Sequence, residues 1–352
     1  MLNAISTQYL AEYSAAIAQS AGVDDASKQF SITPVMETRL QQAIMESDAF
    51  LGMISNILVD QIKGQVIDVG DSGLTTGRVK DGRFSASLSQ SGNTYELVET
   101  DSGAHINWIT LTIWANSGSK GEWVAKMNNA IMRSFALDKL RIGFHGTSIA
   151  AESTNPTTNP MGQDVNKGWL QIVKDKASDQ VNASAQLDST GATAGSYKNL
   201  DALVNDLVNT TIHEVHVDDP DLVVLVGRNL VAAEQHRLLS AANVPTEHKA
   251  AQQLAKTIAG KKAYTPPFFP PNMVWVTSLA NLQILTQKGT QWRKSRNEED
   301  RKRFETSYLR MEGYAVGNFH KFAAIESVTI VDSSALAAES LEDGVDTNPV
   351  VE

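Results

Sequence analysis

The stretch GEWVAKMNNAIMRSFALDKLRIGF, residues 121–144, decides the fold, because it connects a glycine- and serine-rich extended region before it with a more compact region after it. Its apolar residues recur at every fourth position, at Trp123, Met127, Ile131 and Phe135. This spacing is typical of the buried face of an α-helix, and no proline or glycine interrupts the interior of the stretch. At about 1.5 Å per residue it predicts a rod of roughly 30 Å that stops at Gly143 and Gly146. We therefore expect a spine helix over residues 121–143.

The segment before the spine helix has the composition of a projecting arm. Residues 65–69, 94–99 and 106–114 have strand character, and the last of these is rich in β-branched and aromatic side chains. Residues 70–93, GDSGLTTGRVKDGRFSASLSQSGN, are almost without large apolar side chains and so cannot bury themselves in a core. The pattern predicts a two-stranded arm that contacts another subunit.

The N-terminal segment is joined to the rest of the chain by a polar sequence. An amphipathic helix is predicted over residues 3–20, and the joint GVDDASKQ follows at 22–29. A second helix is predicted from Pro34 through Met45. A helix tethered by such a joint is either removable or packed on its own domain. Periodicity alone leaves both alternatives open.

The chain after the spine helix alternates strands with helices, which is typical of an α/β module. The predicted elements are a helix at 164–177, a surface loop at 178–197, a helix at 200–212, a buried strand at Leu222–Val226, a helix from Asn229, a helix at 251–260, a buried strand at 273–279 and one or two strands over 314–331. Residues 332–352 carry acidic side chains without lysine or arginine and are interpreted as an acidic, disordered tail.

The composition excludes several classes of protein. The chain has 352 residues, enough for about two domains, and it contains no cysteine. Disulfides, thiolate metal ligands and a catalytic thiol are therefore excluded. We expect no secretory signal and, since no run of 18 apolar residues occurs, no membrane span. The net charge of −10 argues against a protein that holds DNA by neutralising phosphates.

The sequence gives little support for catalysis. The phosphate-binding P-loop, the dinucleotide-binding GxGxxG motif and the nucleophile-elbow GxSxG motif are all absent. His213 and His216, with aspartates following at 218, 219 and 221, are the strongest candidate for a metal site, since histidines at i and i+3 share a helical face. We favour a solvated turn, because the spacing is not HExxH and Pro220 follows. We expect no cofactor, no metal and no catalytic residue.

Residues 291–304, QWRKSRNEEDRKRF, form a dense run of mixed charge. Six of its charged residues are candidates for contact with another subunit: Arg293, Arg296, Glu298, Glu299, Arg301 and Arg303. A purely basic run would indicate a nucleic-acid patch, but acidic residues are interleaved here. We therefore favour ion pairs with a neighbouring chain over nucleic-acid contact.

The order of these parts resembles the Hong Kong 97-type phage capsid fold and, more narrowly, the major capsid proteins of Peduovirus-type (P-two-like) tailed phages. The resemblance is colinear over roughly residues 25–330. The stretches that carry it are LDKLRIGFHG at 137–146, NPMGQDVNKGWLQ at 159–171, LDALVNDLVN at 200–209, DPDLVVLVGRNLVA at 219–232, PPFFPPNMVWVTSLANLQI at 266–284 and FETSYLRMEGYAVGNF at 304–319.

The resemblance implies an α+β fold with an N-terminal arm, an extended β-hairpin loop, a long spine helix, a peripheral domain and an axial domain. Its segments would be 1–30 as a scaffold-like propeptide, 31–57 as the arm, 58–114 as the extended loop, 115–197 with 305–331 as the peripheral domain, 198–304 as the axial domain, and 332–352 as the acidic tail. Proteolytic maturation would cut near Gln29, Phe30 and Ser31.

The implied function is structural. Hexamers and pentamers of one chain would build an icosahedral head that encloses double-stranded DNA without binding it specifically. The implied partners are further copies of the chain, an internal scaffolding protein, a maturation protease and a portal, with assembly in the bacterial cytoplasm and a final location in the virion. Two alternatives are another virion component, such as a tail-tube or decoration protein, and a metal-dependent enzyme using His213 and His216.

Overall fold

The computed structural model of the chain describes residues 2–66, 76–84, 93–191, 193–241 and 256–331. The chain divides into two compact units, Met1–Ile172 with Ala280–Gly317, and Val173–Leu279 with Asn318–Glu352. The helices are α1 (Ala4–Ala21), α2 (Pro34–Glu46), α3 (Trp108–Asn116), α4 (Lys120–His145), α5 (Trp169–Lys176), α6 (Leu200–Thr211) and α7 (Arg228–Ala241). The strands are β1 (Phe30–Ser31), β2 (Ser55–Val59), β3 (Lys63–Gln65), β4 (Thr94–Glu96), β5 (Val98–Asn107), β6 (Val181–Leu187), β7 (Leu222–Val226), β8 (Thr257–Ile258), β9 (Lys261–Tyr264), β10 (Val274–Ser278), β11 (Leu282–Gln287), β12 (Trp292–Glu298), β13 (Arg303–Val316) and β14 (Ala323–Ile330).

The predicted spine helix is confirmed as α4, which begins one residue earlier and ends two residues later than predicted. Ser119 and Glu122 form a capping box at its start, each side chain accepting a hydrogen bond from the backbone N–H of the other. The apolar stripe of the prediction is buried throughout. Gly143 continues this face, and a Cβ there would lie 2.4 Å from the Trp169 ring, so glycine lets the ring pack against the helix.

The first unit is built on a six-stranded sheet with the order β1-β12-β13-β11-β2, in which β5 also pairs with β13. Only β2 and β11 are parallel among these pairs. Side chains of β13 alternate between half-buried and buried from Arg303 to Glu312, as period two requires, and the rest of the strand is buried on both faces. Its buried Phe304 packs on Tyr13 of α1, and its buried Tyr308 stacks on Phe135 of α4. The core of this unit therefore lies between one sheet face and the helices.

The two-stranded arm predicted before the spine helix is confirmed at its base. Strands β3 and β4 pair antiparallel, with Lys63 opposite Glu96 and Gly64 opposite Tyr95. Residues 67–75 and 85–92 of the predicted arm lie outside the described residues. The returning strand β5 is part of the main sheet, where it pairs with β13 over ten residues. The structure thus describes the base of the arm and residues 76–84 between the two gaps.

The strand predicted over residues 106–114 is wrong. Strand β5 ends at Asn107, and Trp108 begins helix α3. Its β-branched isoleucines and threonines favour a strand locally, but packing decides otherwise. Leu111 and Ala115, four residues apart on one helical face, are buried, and the Leu111 carbonyl accepts a hydrogen bond from Nε1 of Trp123 at 3.1 Å.

The second unit contains a six-stranded sheet with the order β6-β14-β10-β7-β9-β8. The buried strands predicted at Leu222–Val226 and 273–279 are confirmed as its central strands β7 and β10, which pair antiparallel. Every residue of both strands is buried, which explains their continuous hydrophobic runs. Helix α6, also predicted, packs its leucine and valine face in the same core.

Three further expectations need correction. Residues 178–197 include strand β6, which pairs in parallel with β14; its small polar side chains concealed a strand held by backbone pairing. The helix predicted over 164–177 begins only at Trp169. Of the helix predicted at 251–260, residues 251–255 lie outside the described residues, while Thr257–Ile258 form β8 and turn back at Gly260, whose φ is +74°. No helix in the described part of the chain is long and apolar enough to cross a membrane.

Candidate inter-subunit surface

The mixed-charge run forms the hairpin of β12 and β13, and its charges are sorted by the pleat. Arg296 pairs with Glu305 across the hairpin, and Glu298 pairs with Arg303. These four side chains lie on the face of the sheet opposite the buried Phe304, because successive side chains of a strand point to opposite faces. We call this face, built from β5, β13 and β12, the outer face.

The charged side chains of the outer face form ion pairs with one another. Arg296 Nη2 lies 2.6 Å from Glu298 Oε2 and 3.2 Å from Glu305 Oε2. Arg303 Nη2 lies 2.6 Å from Glu305 Oε1, and Arg301 approaches the same oxygen at 4.0 Å. Partial burial would raise the pKa of Glu305, but Arg303 and Arg296 outweigh it and lower the pKa. Glu305 is therefore the shared anion of three arginines.

A groove of about 290 Å³ runs across the outer face. Its lining is Gly103, Ala104, His105, Lys294, Arg296, Arg303, Glu305, Thr306 and Ser307. The row Gly103–Ser307–Lys294 crosses three neighbouring strands, and a Cβ on Gly103 would meet nothing within 4 Å. The groove is therefore open to solvent, shallow at its centre and cationic along its sides.

The six predicted contact residues do not lie together. Arg296, Glu298 and Arg303 share the outer face, while Glu299 and Arg301 lie in the turn of the hairpin. Arg293 lies on the opposite face, where its side chain hydrogen-bonds with Tyr13 of α1. The sequence run therefore mixes an exposed surface with a contact inside the first unit. Whether any of these residues meets another subunit stays a prediction.

The predicted cleavage region is part of the sheet. Phe30 is buried, and Phe30 and Ser31 form β1, which pairs with Arg293 and Trp292 of β12. Ile32 continues this pairing by donating its N–H to the carbonyl of Gln291 at 3.0 Å. Whether the chain is cut at these residues stays a prediction.

Helix α1 packs on its own unit. Tyr13 donates a hydrogen bond to Asn128 of α4 at 2.6 Å, and its ring packs on Trp123 and Phe304. Leu10 and Ile17 of α1 are buried as well. Of the two alternatives for this helix, the structure shows the packed one, so removal of the segment would uncover aromatic side chains of the core.

A cluster of three buried charges crosses the core between α4 and the sheet. Glu312 of β13 binds Lys139 of α4 and also Arg310, whose Nε and Nη2 donate to it at 2.7 and 2.8 Å. All three side chains are at most 2% exposed. Arg310 also donates to Ser102 Oγ of β5 at 2.8 Å. Burial lowers the pKa of Lys139 to about 8, although Glu312 opposes this. One carboxylate thus connects the spine helix with the sheet.

This cluster of Lys139, Arg310 and Glu312 makes the free energy of unfolding depend on pH in the acidic range. Burial would raise the pKa of Glu312, but Arg310 and Lys139 outweigh it and hold the pKa at about 2, below the ordinary 4.5. A lowered folded-state pKa stabilises the fold above about pH 4.5, and that contribution is lost as the pH falls towards 2. We expect the urea midpoint of the unassembled chain to fall over this interval and that of Glu312→Gln to change less. Parallel pH profiles for the two chains would contradict this.

The two histidines proposed as metal ligands are not arranged as a metal site. The rings of His213 and His320 are 5.6 Å apart, while His216 Nε2 lies 3.4 Å from the side-chain nitrogen of Asn318. The nearby Asp219 is paired with Lys321. Within the described residues, no group of three or more histidine and carboxylate side chains could hold a metal ion.

Comparison with known families assigns the chain. The family model described as phage major capsid protein, P2 family, matches residues 9–328, which is most of the sequence. The chain belongs to the P2 family of phage major capsid proteins.

Relatives in this P2 capsid family match over nearly their whole length. A protein of Escherichia phage P2 described as capsid proteins is 30% identical, over 94% of this chain and 97% of the relative. The major capsid protein of Serratia phage KSP20 is 27% identical, over 86% of this chain and 89% of the relative. A chain in the structure of the satellite phage P4 procapsid that includes the size determination (Sid) protein matches with a TM-score of 0.73 and 27% identity, over 93% of this chain and 98% of that one. The predicted α+β capsid fold of the Hong Kong 97 type is confirmed.

Membership of the P2 capsid family decides between the functions considered from the sequence. The chain is a phage major capsid protein, a structural component of the head. The alternatives of a tail-tube or decoration protein and of a metal-dependent enzyme are not favoured.

Two features of this capsid chain were missed in the sequence, although a signal existed for each. Lys139 stands four residues after Phe135, where the next member of the apolar stripe is expected, so a charge there indicated a buried partner. Ser295 stands between Lys294 and Arg296, and this alternation of small and charged side chains indicated a strand rather than a solvated run. No comparable signal pointed to Gly103 as the floor of a groove.

Proposed function

We propose that this chain assembles with its own copies, as hexamers and pentamers, into an icosahedral shell that encloses double-stranded DNA. The observation that carries the proposal is the likeness to the P4 procapsid chain, which extends over 93% of this sequence and 98% of that one. A likeness of that extent supports a shared mode of assembly as well as a shared core. We further propose that the chain performs no catalysis.

The segments would have distinct roles in the shell. Residues 58–114 would supply the extended loop, 115–197 with 305–331 the peripheral domain, and 198–304 the axial domain near capsomer centres. Support comes from the paired strands at the base of the arm and from the low apolar content of residues 70–93. A segment that buries little surface on its own subunit gains stability when it buries surface on the next. The net charge of −10 favours confining DNA without adhesion to the wall.

We propose an internal scaffolding protein, a maturation protease and a portal as further partners, with assembly in the host cytoplasm. Cleavage near Gln29, Phe30 and Ser31 would remove the segment that contains α1. The pairing of β1 with β12 supports a regulated cut, because the bonds are protected until the strand detaches. The detached helix would leave Trp123 and Phe304 uncovered for a new contact.

The proposal is tested by expressing the full chain and a variant lacking residues 1–30, each with and without the scaffolding protein of the same phage. We expect the full chain to form closed shells with scaffold, seen by electron microscopy as six- and fivefold capsomers. We expect the variant to form fewer closed shells or irregular ones, because exposed apolar surface associates without control. A chain that stays monomeric under every condition, while its circular dichroism shows a folded protein, would overturn the proposal.

A further inference from the structure

We propose that strand β5 of one copy pairs antiparallel with β5 of a second copy, about a twofold axis that passes through Gly103 and stands perpendicular to the sheet. This pairing rests on the self-assembly proposed for the chain and is one of its contacts. Within the described residues, β13 is the only strand that pairs with β5. The other edge of β5 therefore presents a row of backbone N–H and C=O groups to a further strand.

Strand β5 lacks the features that usually prevent a sheet edge from pairing with another chain. Protected edges are short, or they carry lysine, proline or a bulge. Strand β5 has ten residues, contains neither lysine nor proline, and keeps an unbroken register with β13 from Val98 to Asn107. Since an ordinary strand has about five or six residues, this edge is a long template for a partner strand.

The helix-facing side of β5 is incompletely covered. Ile106 is half-buried, whereas its cross-strand neighbour Phe304 is buried. The same difference separates Ala104 from Thr306. Antiparallel pairing about Gly103 brings Thr100 of the second copy opposite Ile106, so the added strand covers side chains that β13 and the helices leave partly exposed.

The polar side chains of β5 favour a second copy in the antiparallel orientation. On the outer face, the exposed residues are Glu99, Asp101, His105 and Asn107, with Gly103 at their midpoint. Antiparallel pairing about Gly103 sets Asp101 opposite His105 and Glu99 opposite Asn107. Each carboxylate then faces a side chain that can donate a hydrogen bond. Parallel pairing in register would instead set like carboxylates against each other, which is destabilising.

The residues at the proposed axis are small. A residue on a twofold axis faces its own copy, and Gly103 has no side chain to clash there. Its neighbours Ser102 and Ala104 face each other across the axis. A contact of this kind uses the same patch on both copies, so it joins two copies and cannot by itself generate a ring. In the proposed shell it therefore lies between capsomers.

The absence of cysteine permits a direct test by disulfide formation. The test variant is the full chain with Gly103→Cys, because a Cβ at position 103 meets nothing within 4 Å and two such thiols face each other across the axis. The control is Asn107→Cys, on the same face of the same strand. Its two thiols would lie roughly 27 Å apart, at about 3.4 Å per residue.

Each variant is expressed with the scaffolding protein of the same phage and oxidised mildly. We expect about tenfold more disulfide-linked dimer for Gly103→Cys than for Asn107→Cys, since pairing raises the local thiol concentration. Denaturing electrophoresis and peptide mass mapping measure the dimer, and thermal unfolding checks that each variant is folded. Equal yields for the two variants would overturn the pairing.

Exchange of the facing side chains gives a second readout. Adding Asp101→His to Gly103→Cys should lower the dimer yield by about threefold or more, because two histidines then face each other on both sides of the axis. Adding His105→Asp as well should restore the yield, because it recreates the facing pair with its members exchanged. A yield that Asp101→His leaves unchanged, or that His105→Asp does not restore, would overturn the pairing.

Electron microscopy of the same samples separates this contact from the shell itself. Shells without the disulfide at position 103 would overturn the pairing and leave the proposed assembly in place. Disulfide-linked dimers without shells would support the pairing and count against the assembly. The absence of both would overturn both.

Discussion

Replacing Glu312 by glutamine lowers the free energy of unfolding by about 3–5 kcal/mol, the largest effect expected from a single polar substitution here. Glutamine has nearly the same shape but no charge, so Arg310 becomes a buried cation without a counter-ion. Lys139 loses the carboxylate that raises its pKa, so its ammonium group is either unpaired or loses its proton. Since all three side chains are at most 2% exposed, water does not replace the lost carboxylate. Urea unfolding of the unassembled chain, followed by circular dichroism, measures the change.

The matched control for Glu312 lies on the same strand. Glu305 also binds arginines, but its side chain is 22% exposed and sits on the outer face. Glu305→Gln should therefore cost no more than about 1 kcal/mol, because exposed ion pairs contribute little. A double replacement, Lys139→Met with Glu312→Gln, should recover part of the loss by removing the buried amino group that has lost its carboxylate partner. Equal destabilisation by Glu312→Gln and Glu305→Gln would show that burial does not set the cost.

Replacing Trp169 by alanine costs about 3–5 kcal/mol, because it empties the space of a fully buried indole. Its ring packs edge-on against Phe144 and Tyr314, and its Nε1 donates to the Gln283 carbonyl at 3.0 Å. The loss therefore combines a cavity, two aromatic contacts and one hydrogen bond. Urea unfolding measures the loss. We expect the free energy of unfolding of Trp169→Phe to lie between those of the unsubstituted chain and of Trp169→Ala.

The control for Trp169 is an exposed tryptophan in the same unit. Trp292 is 40% exposed at the start of β12, so Trp292→Ala should cost clearly less than Trp169→Ala. A loss for Trp169→Ala no larger than that for Trp292→Ala would contradict the assignment of Trp169 as a central anchor.

Long periodic patterns were predictable from the sequence, and short or polar ones were not. The spine helix carries its apolar stripe over several turns, and β7 is a run of five buried residues, so each pattern was unambiguous. Helix α3 was mistaken for a strand because its isoleucines and threonines favour strands, while only contacts with α1 and α4 reveal the helix. Strand β6 was missed because its stability comes from backbone pairing with β14.

The candidate surface shows the same limit. The charged run at 291–304 was found from composition, but its two faces depend on the pairing of β12 with β13. That pairing sends Arg293 towards Tyr13 and Arg296 towards solvent. Composition has no information about which residues of a run share a face until the strand register is known.

The pairing of β1 with β12 also has a consequence for synthesis. Phe30 finds its partner Arg293 only after more than 260 further residues have been translated. At about 5–20 residues per second, the start of the chain waits roughly 10 to 50 s for that partner. Helix α1 waits equally long for Phe304. The first unit can thus complete its fold only near the end of translation. Until then the apolar surface of its N-terminal part stays exposed, and it can associate with other nascent chains.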